Sequence, residues 1–165
     1  MGEMPGTVAP QTGAQPRVYL VIVDETPESA HALRFAARRA LRTGAQVHML
    51  VLVPRGDFLA FGSVQATIEE EARDRAEMLA SVAAGSLASE SGLVPTIVVK
   101  SGDGADVVRA YLRDHDEVSA LVIGAAAGSS PGPLATYFAA TAGTLPCVLM
   151  IVPGGTDAAR IDAVS

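Results

Sequence analysis

Short runs of Val, Leu and Ile alternate along the chain with longer segments whose apolar residues recur at helical spacing, the pattern that parallel strands joined by crossover helices produce. Five such runs occur. The first, VYLVIV from Val18 to Val23, is apolar throughout, as a strand covered on both faces must be, and it ends at Asp24. Thr26 is placed to cap a helix with Pro27 at its first position. Ala30, Leu33, Ala37, Ala40 and Leu41 supply that helix with a buried stripe before Gly44 stops it, and Arg38, Arg39 and Arg42 fall where the helix dipole favours cations. The second strand is VHMLVLV, Val47 to Val53, followed by the ten-residue loop PRGDFLAFGS. A long helix is predicted from Val64 to Ser91, with Ile68, Ala72, Leu79, Val82 and Leu87 near helical spacing. The third strand is TIVV, Thr96 to Val99, and after Gly102 a helix carries Val107, Val108, Tyr111 and Leu112 on one side. The fourth, ALVI from Ala120 to Ile123, opens directly into GAAAGSSPGP. A short helix from about Leu134 to Ala142 leads to the fifth strand, CVLMIV, Cys147 to Val152.

The flanks break this pattern. Residues 1–16 are rich in Gly, Pro, Gln and Thr without apolar period, and residues 154–165 follow a Pro153-Gly154-Gly155 breaker, so both are expected to be disordered tails around one domain at 17–153. Composition narrows the function. With 12 basic and 18 acidic side chains the chain carries a formal charge of −6, which offers none of the Lys and Arg clusters that nucleic acid or an anionic membrane requires. No apolar run approaches the roughly 18 residues of a membrane span. One cysteine, Cys147, cannot build a disulfide framework, and no CxxC or His-spaced zinc pattern is present. A soluble, cytoplasmic protein is the expectation.

An open parallel sheet binds ligands beyond the carboxyl ends of its strands, where the strand order reverses, which singles out Asp24, Leu52 to Pro54 and the segment after Ile123. Here the chain resembles the universal stress protein (UspA-like) family. VYLVIVDETPES is similar to that family's V-x-V-D-x-S/T-x-x-S opening, VHMLVLV to its second strand, VVKSGDGADVV to its third strand and G-x-x-A-x-x-I turn, and LVIG with TLPCVLMIVP to its last strands. The resemblance covers Arg17 to Pro153. It implies an α/β fold with one open five-stranded parallel sheet of order 3-2-1-4-5, helices on both faces, and frequent pairing into a homodimer through the fifth strand, Cys147 to Val152. It also implies a role in stress physiology rather than one agreed reaction.

Part of that family binds ATP through G-x-x-G, nine further residues, then G-S or G-T, because glycines let backbone N–H groups approach phosphate oxygens while the hydroxyl and a helix terminus complete the cradle. Gly124 fits the first glycine. Three places later stands Ala127, with Gly128 one position late, and the nine-residue spacer then leads to Tyr137 or Phe138. Aligned backwards from Pro146, Pro133 and Leu134 fall where the family has Gly-Ser. The signature is broken and the loop is shortened. What survives by resemblance is the nucleoside end: Asp24 at the adenine or ribose edge, Leu52 lining the base, Ile123 and Gly124 packing beneath it. Asp24 equally suits a turn in which its carboxylate takes backbone amides. Ser129 and Ser130, beside Gly128, have the chemistry to hold one phosphate or another anion, against the plainer reading of a Gly/Ser/Pro turn capping the next helix.

Other chemistry is poorly supported. His31, His48 and His115 share no metal-ligand spacing. Glu69 with Arg73 and Glu71 with Arg75 read as i,i+4 pairs on a solvated face rather than a carboxylate site. Cys147 reads as a packed small hydrophobe without a partner for nucleophilic work. Phe58, Leu59 and Phe61 suit a lid, a partner patch or a tuck onto the sheet. Neither a G-x-S-x-G elbow nor a G-x-x-x-x-G-K-S/T loop is present. A phospho-receiver is disfavoured because the third strand runs into Lys100-Ser101 instead of an acceptor Asp. The sequence therefore points to a non-catalytic module of this family, with no certain cofactor, that acts by dimerisation and by partner or small-ligand binding. The alternative is an adenine-nucleotide (ATP or AMP) binder with at most slow hydrolysis.

Overall fold

The computed structural model describes residues 16–55 and 63–165. Five strands, β1 (Val18–Val23), β2 (Gln46–Val53), β3 (Thr96–Ser101), β4 (Val118–Ala125) and β5 (Val148–Pro153), form one sheet of order β3-β2-β1-β4-β5. Every neighbouring pair is parallel. Both the strand order and the α/β class agree with the sequence reading. Helices α1 (Pro27–Thr43), α2 (Ser63–Ser91), α3 (Gly104–Asp114), α4 (Pro133–Ala140) and α5 (Ala158–Val164) complete the fold, with a 3-10 turn at Ala142–Thr144.

The run of apolar residues in β1 follows from its central position. Tyr19, Val21 and Val23 enter a core shared with α1, α2 and α5, whereas Val18, Leu20 and Ile22 enter a second core shared with α3 and α4. No position along it faces water, and each buried Val, Leu or Ile contributes about 2 kcal/mol of transfer free energy. The outer strands are more open: β3 is largely exposed, with Ile97 and Lys100 in solvent, and β5 leaves apolar Val148 and Ile151 in contact with solvent.

Helix α1 stops at Gly44, whose φ of 67° is the left-handed conformation that glycine adopts without strain. Its other end departs from expectation. Thr26 occupies the N-cap but makes no side-chain cap, because its hydroxyl and its amide both donate to Asp24 Oδ1, the amide at 2.9 Å. In α2 the buried stripe is Ala72, Ala76, Ala80 and Leu87, and Val82, predicted to lie on it, faces solvent. The predicted pairs of Glu69 with Arg73 and Glu71 with Arg75 do not form among the described residues. Arg73 reaches forward to Glu77 at 3.7 Å and Arg75 crosses to Glu25 at 3.4 Å, since the long side chains find partners further along and across the helix face.

Residues 154–165 are not a disordered tail. Gly154 and Gly155 turn the chain, Asp157 caps α5 by accepting from the Arg160 amide at 2.8 Å, and Ile161 is fully buried in the α1 core. Arg34 grips Asp162 with two hydrogen bonds of 2.8 and 2.7 Å and also reaches Glu90 of α2, Arg38 adds a 3.3 Å contact to Asp162, and Arg42 donates to the Asp162 and Ser165 carbonyls. The Arg34 guanidinium holds the Asp162 carboxyl below the usual carboxylate range. One apolar anchor and three cations at i, i+4 and i+8 order a segment whose own composition favours coil. Residues 1–15, part of the segment read as disordered, and Phe58, Leu59 and Phe61 lie outside the described residues.

Candidate functional site

The carboxyl ends of β1, β2 and β4 place most of the predicted positions at one end of the sheet. Leu52 lies one residue before the end of β2 and Ile123 near the end of β4; both are buried in the same cluster, with Leu134 of α4 packed against it. Asp24 leaves β1 at the rim, half-buried, with Oδ1 engaged by Thr26. Behind it Ser29, itself buried, donates its hydroxyl between the Asp24 and Thr26 carbonyls at 3.0 Å each, so the turn is held by side chains on both sides. This is the arrangement of an Asx turn.

Gly124 has a packing reason to be glycine. A Cβ built there would sit 2.6 Å from the Glu28 carbonyl carbon and 2.9 Å from Glu28 Cβ, so β4 and the first turn of α1 approach at backbone contact. Gly154 repeats this from the other side: its amide donates to the Ala125 carbonyl at 2.6 Å, and a Cβ there would meet that oxygen at 2.7 Å. The loop after β4 closes on itself, the Ala126 amide donating to the Pro131 carbonyl at 3.0 Å. Gly128, with φ at 103°, turns this loop, and Gly128, Ser129 and Ser130 all stand exposed at its tip. Helix α4 then begins at Gly132 and Pro133, and Pro133 has no N–H to offer an anion.

Two contributors were not evident from the sequence. Leu134 and Gly104 meet across the crevice: a Cβ on Gly104 would lie 3.1 Å from Leu134 Cδ2 and 3.3 Å from Leu52 Cδ1, so the Leu134 side chain fills the space between β2 and the start of α3. The available signal was a large apolar residue in the first helical turn at the position where the family pattern has Gly-Ser. The second is the groove of about 420 Å³ that runs from Asp24 between α1 and α2, floored by Leu33, Ala37, Leu79 and Ala83 and crossed by Arg34 and Glu90. Small alanines on both helices leave this gap.

Among the described residues no group of three His, Cys, Asp or Glu side chains is arranged to hold a metal, and no helix is long and apolar enough to cross a membrane. Cys147 is half-buried and burial pushes its thiol pKa up, away from nucleophilic use.

A family model described as "Universal stress protein family" matches residues 17–136. The chain belongs to the universal stress protein family. Solved structures of universal stress proteins share its fold. UspA from Lactobacillus plantarum is 19% identical with a TM-score of 0.68, covering 84% of this chain and 99% of that one. A universal stress protein from Archaeoglobus fulgidus in complex with dAMP is 18% identical with a TM-score of 0.52, covering 84% and 97%. A family protein from Arabidopsis thaliana with AMP bound is 16% identical with a TM-score of 0.56, covering 88% and 99%. Among curated proteins no significant match is found. In this universal stress protein β5 and α5 follow the matched segment.

Proposed function

We propose that this universal stress protein is a non-catalytic stress-response module that works by pairing with a second copy, by contacting protein partners and by holding a small ligand in the β1–β4 crevice, without a triphosphate site. The observation that carries the reading is Leu134, whose side chain spans from Leu52 to Gly104 where the family pattern has Gly-Ser. The closed loop from Ala126 to Pro131, too short to wrap three phosphates, supports it. A single cysteine suits a cytoplasmic setting.

A second reading, an adenine-nucleotide (ATP or AMP) binder, is favoured by the relatives with dAMP and AMP bound and by the surviving Asp24, Leu52, Ile123 and Gly124. Calorimetry with ATP, AMP and cyclic AMP separates the two. ATP is expected to give no heat at submillimolar concentration. Submillimolar AMP affinity, or submillimolar ATP affinity lost in Asp24→Ala, would overturn the first reading and select the second.

Pairing through β5 is supported by Val148 and Ile151, 59% and 38% exposed on an edge strand. Sedimentation at micromolar concentration is expected to give a dimer, and Ile151→Lys a monomer of unchanged helicity. A wild-type monomer would remove this part of the proposal.

A further inference from the structure

At the opposite end of the sheet, a ring of β2 meets two rings from the end of α3, more than sixty residues away. His48 of β2 is buried, 8% exposed, and its Nδ1 lies 2.8 Å from the Tyr111 hydroxyl of α3. His115, one turn after Tyr111, stacks flat on the Tyr111 ring with centroids 3.9 Å apart and planes at 4°, and both rings stand edge-on to His48 with centroids at 6.2 Å. His115 Nδ1 donates to the Tyr111 carbonyl at 3.0 Å, which puts its proton on that nitrogen.

We propose that His48, Tyr111 and His115 form an acid-sensitive latch that fastens the carboxyl-terminal half of α3 to the sheet at neutral pH and releases it when His48 takes a proton. The hydrogen-bond accounting gives the mechanism. The Tyr111 hydroxyl has no other acceptor among the described residues, so the neutral arrangement that satisfies both groups has O–H donating to Nδ1 and the imidazole proton on Nε2. A proton added at Nδ1 reverses that bond: Nδ1–H donates to the phenol oxygen, and the phenol proton is left in a buried site without an acceptor. An orphaned buried donor costs about 1–3 kcal/mol.

The surroundings are mixed in sign. Asp116 and Glu117, in the turn before β4, line the same small cleft as His48, and Glu117 favours the charged imidazole. His115 opposes it, and burial opposes it more strongly, so the His48 pKa lies below that of an ordinary histidine. The strand neighbours in register, Leu20 and Thr96, do not titrate. Burial likewise raises the Tyr111 pKa, so the phenol keeps its proton throughout this range. Because the unfolded chain takes up the His48 proton first, this site's contribution is complete above about pH 6.5 and is lost as the pH falls through the native pKa.

The test is a histidine-ring NMR titration of the full chain from pH 8 to 5, with amide exchange of α3 corrected for intrinsic rate. His48 is expected to titrate below the ordinary histidine range, and exchange protection over Val108 to Asp114 is expected to fall at least tenfold between pH 7.5 and 5.0 relative to α1. Tyr111→Phe, which has no hydroxyl to bond His48, is expected to lower α3 protection already at pH 7.5 and so to flatten its fall with pH, and His48→Gln to abolish that fall. Undiminished α3 protection while His48 is seen to titrate would overturn the latch, as would an equal loss in Tyr111→Phe. Should His48→Gln not fold, the Tyr111→Phe comparison decides alone.

Discussion

Gly124→Ala is expected to destabilise the protein by about 3 kcal/mol, a drop in Tm of roughly 10 °C for a chain of this size. The single added carbon would sit against the Glu28 backbone, 2.6 Å from its carbonyl carbon, so neither a rotamer change nor solvent can absorb it. β4 or the first turn of α1 must move, and with it the Asp24 turn held by Ser29. Gly85→Ala is the matched control. It lies within α2 with nothing inside 4 Å of the added carbon, and is expected to stabilise by up to about 1 kcal/mol because alanine is the better helix former. Thermal unfolding followed by circular dichroism measures both. Equal effects at the two positions would show that the β4–α1 contact has room to relax.

Phe138→Ala is expected to cost about 4 kcal/mol, measured as a shifted urea midpoint with unchanged slope. The ring is fully buried beneath α4 in the core shared with α3, and it meets Tyr137 edge-on at 5.0 Å. Arg109 lies over both rings, 5.2 Å from the Tyr137 centroid and 5.9 Å from that of Phe138, and its Nε donates to the Tyr137 hydroxyl at 2.7 Å. This exposed brace stays with the backbone when Phe138 is truncated, so little collapse is available to fill the void. A loss below 1 kcal/mol would mean that α4 repacks freely. The position of Leu134 over the crevice would then be adjustable too.

What could be read from the chain and what could not divide along physical lines. β1, β2 and β4 announce themselves because burial on both faces forces unbroken apolar runs, and α1 because its stripe and Gly44 stop agree. Short α5 was hidden: with Ile161 as its one buried side chain it has no period to detect, and its order comes from Arg34, Arg38 and Arg42, more than a hundred residues away. In the crevice, Asp24, Leu52, Ile123 and Gly124 could be placed by strand ends and family likeness, whereas Leu134 against Gly104 is a tertiary contact between two helix starts. The meeting of His48 with Tyr111 and His115 was equally invisible, since an edge-on, hydrogen-bonded contact across 63 residues leaves no spacing rule in the sequence.

Both edge strands expose apolar side chains, Val148 and Ile151 on β5 and Ile97 on β3, but β3 also carries Lys100, a charge that discourages a further strand from adding. If strands add at β5, two molecules meeting there in isologous fashion would use up both adhesive borders at once, and growth would terminate at a closed pair instead of continuing into a fibre.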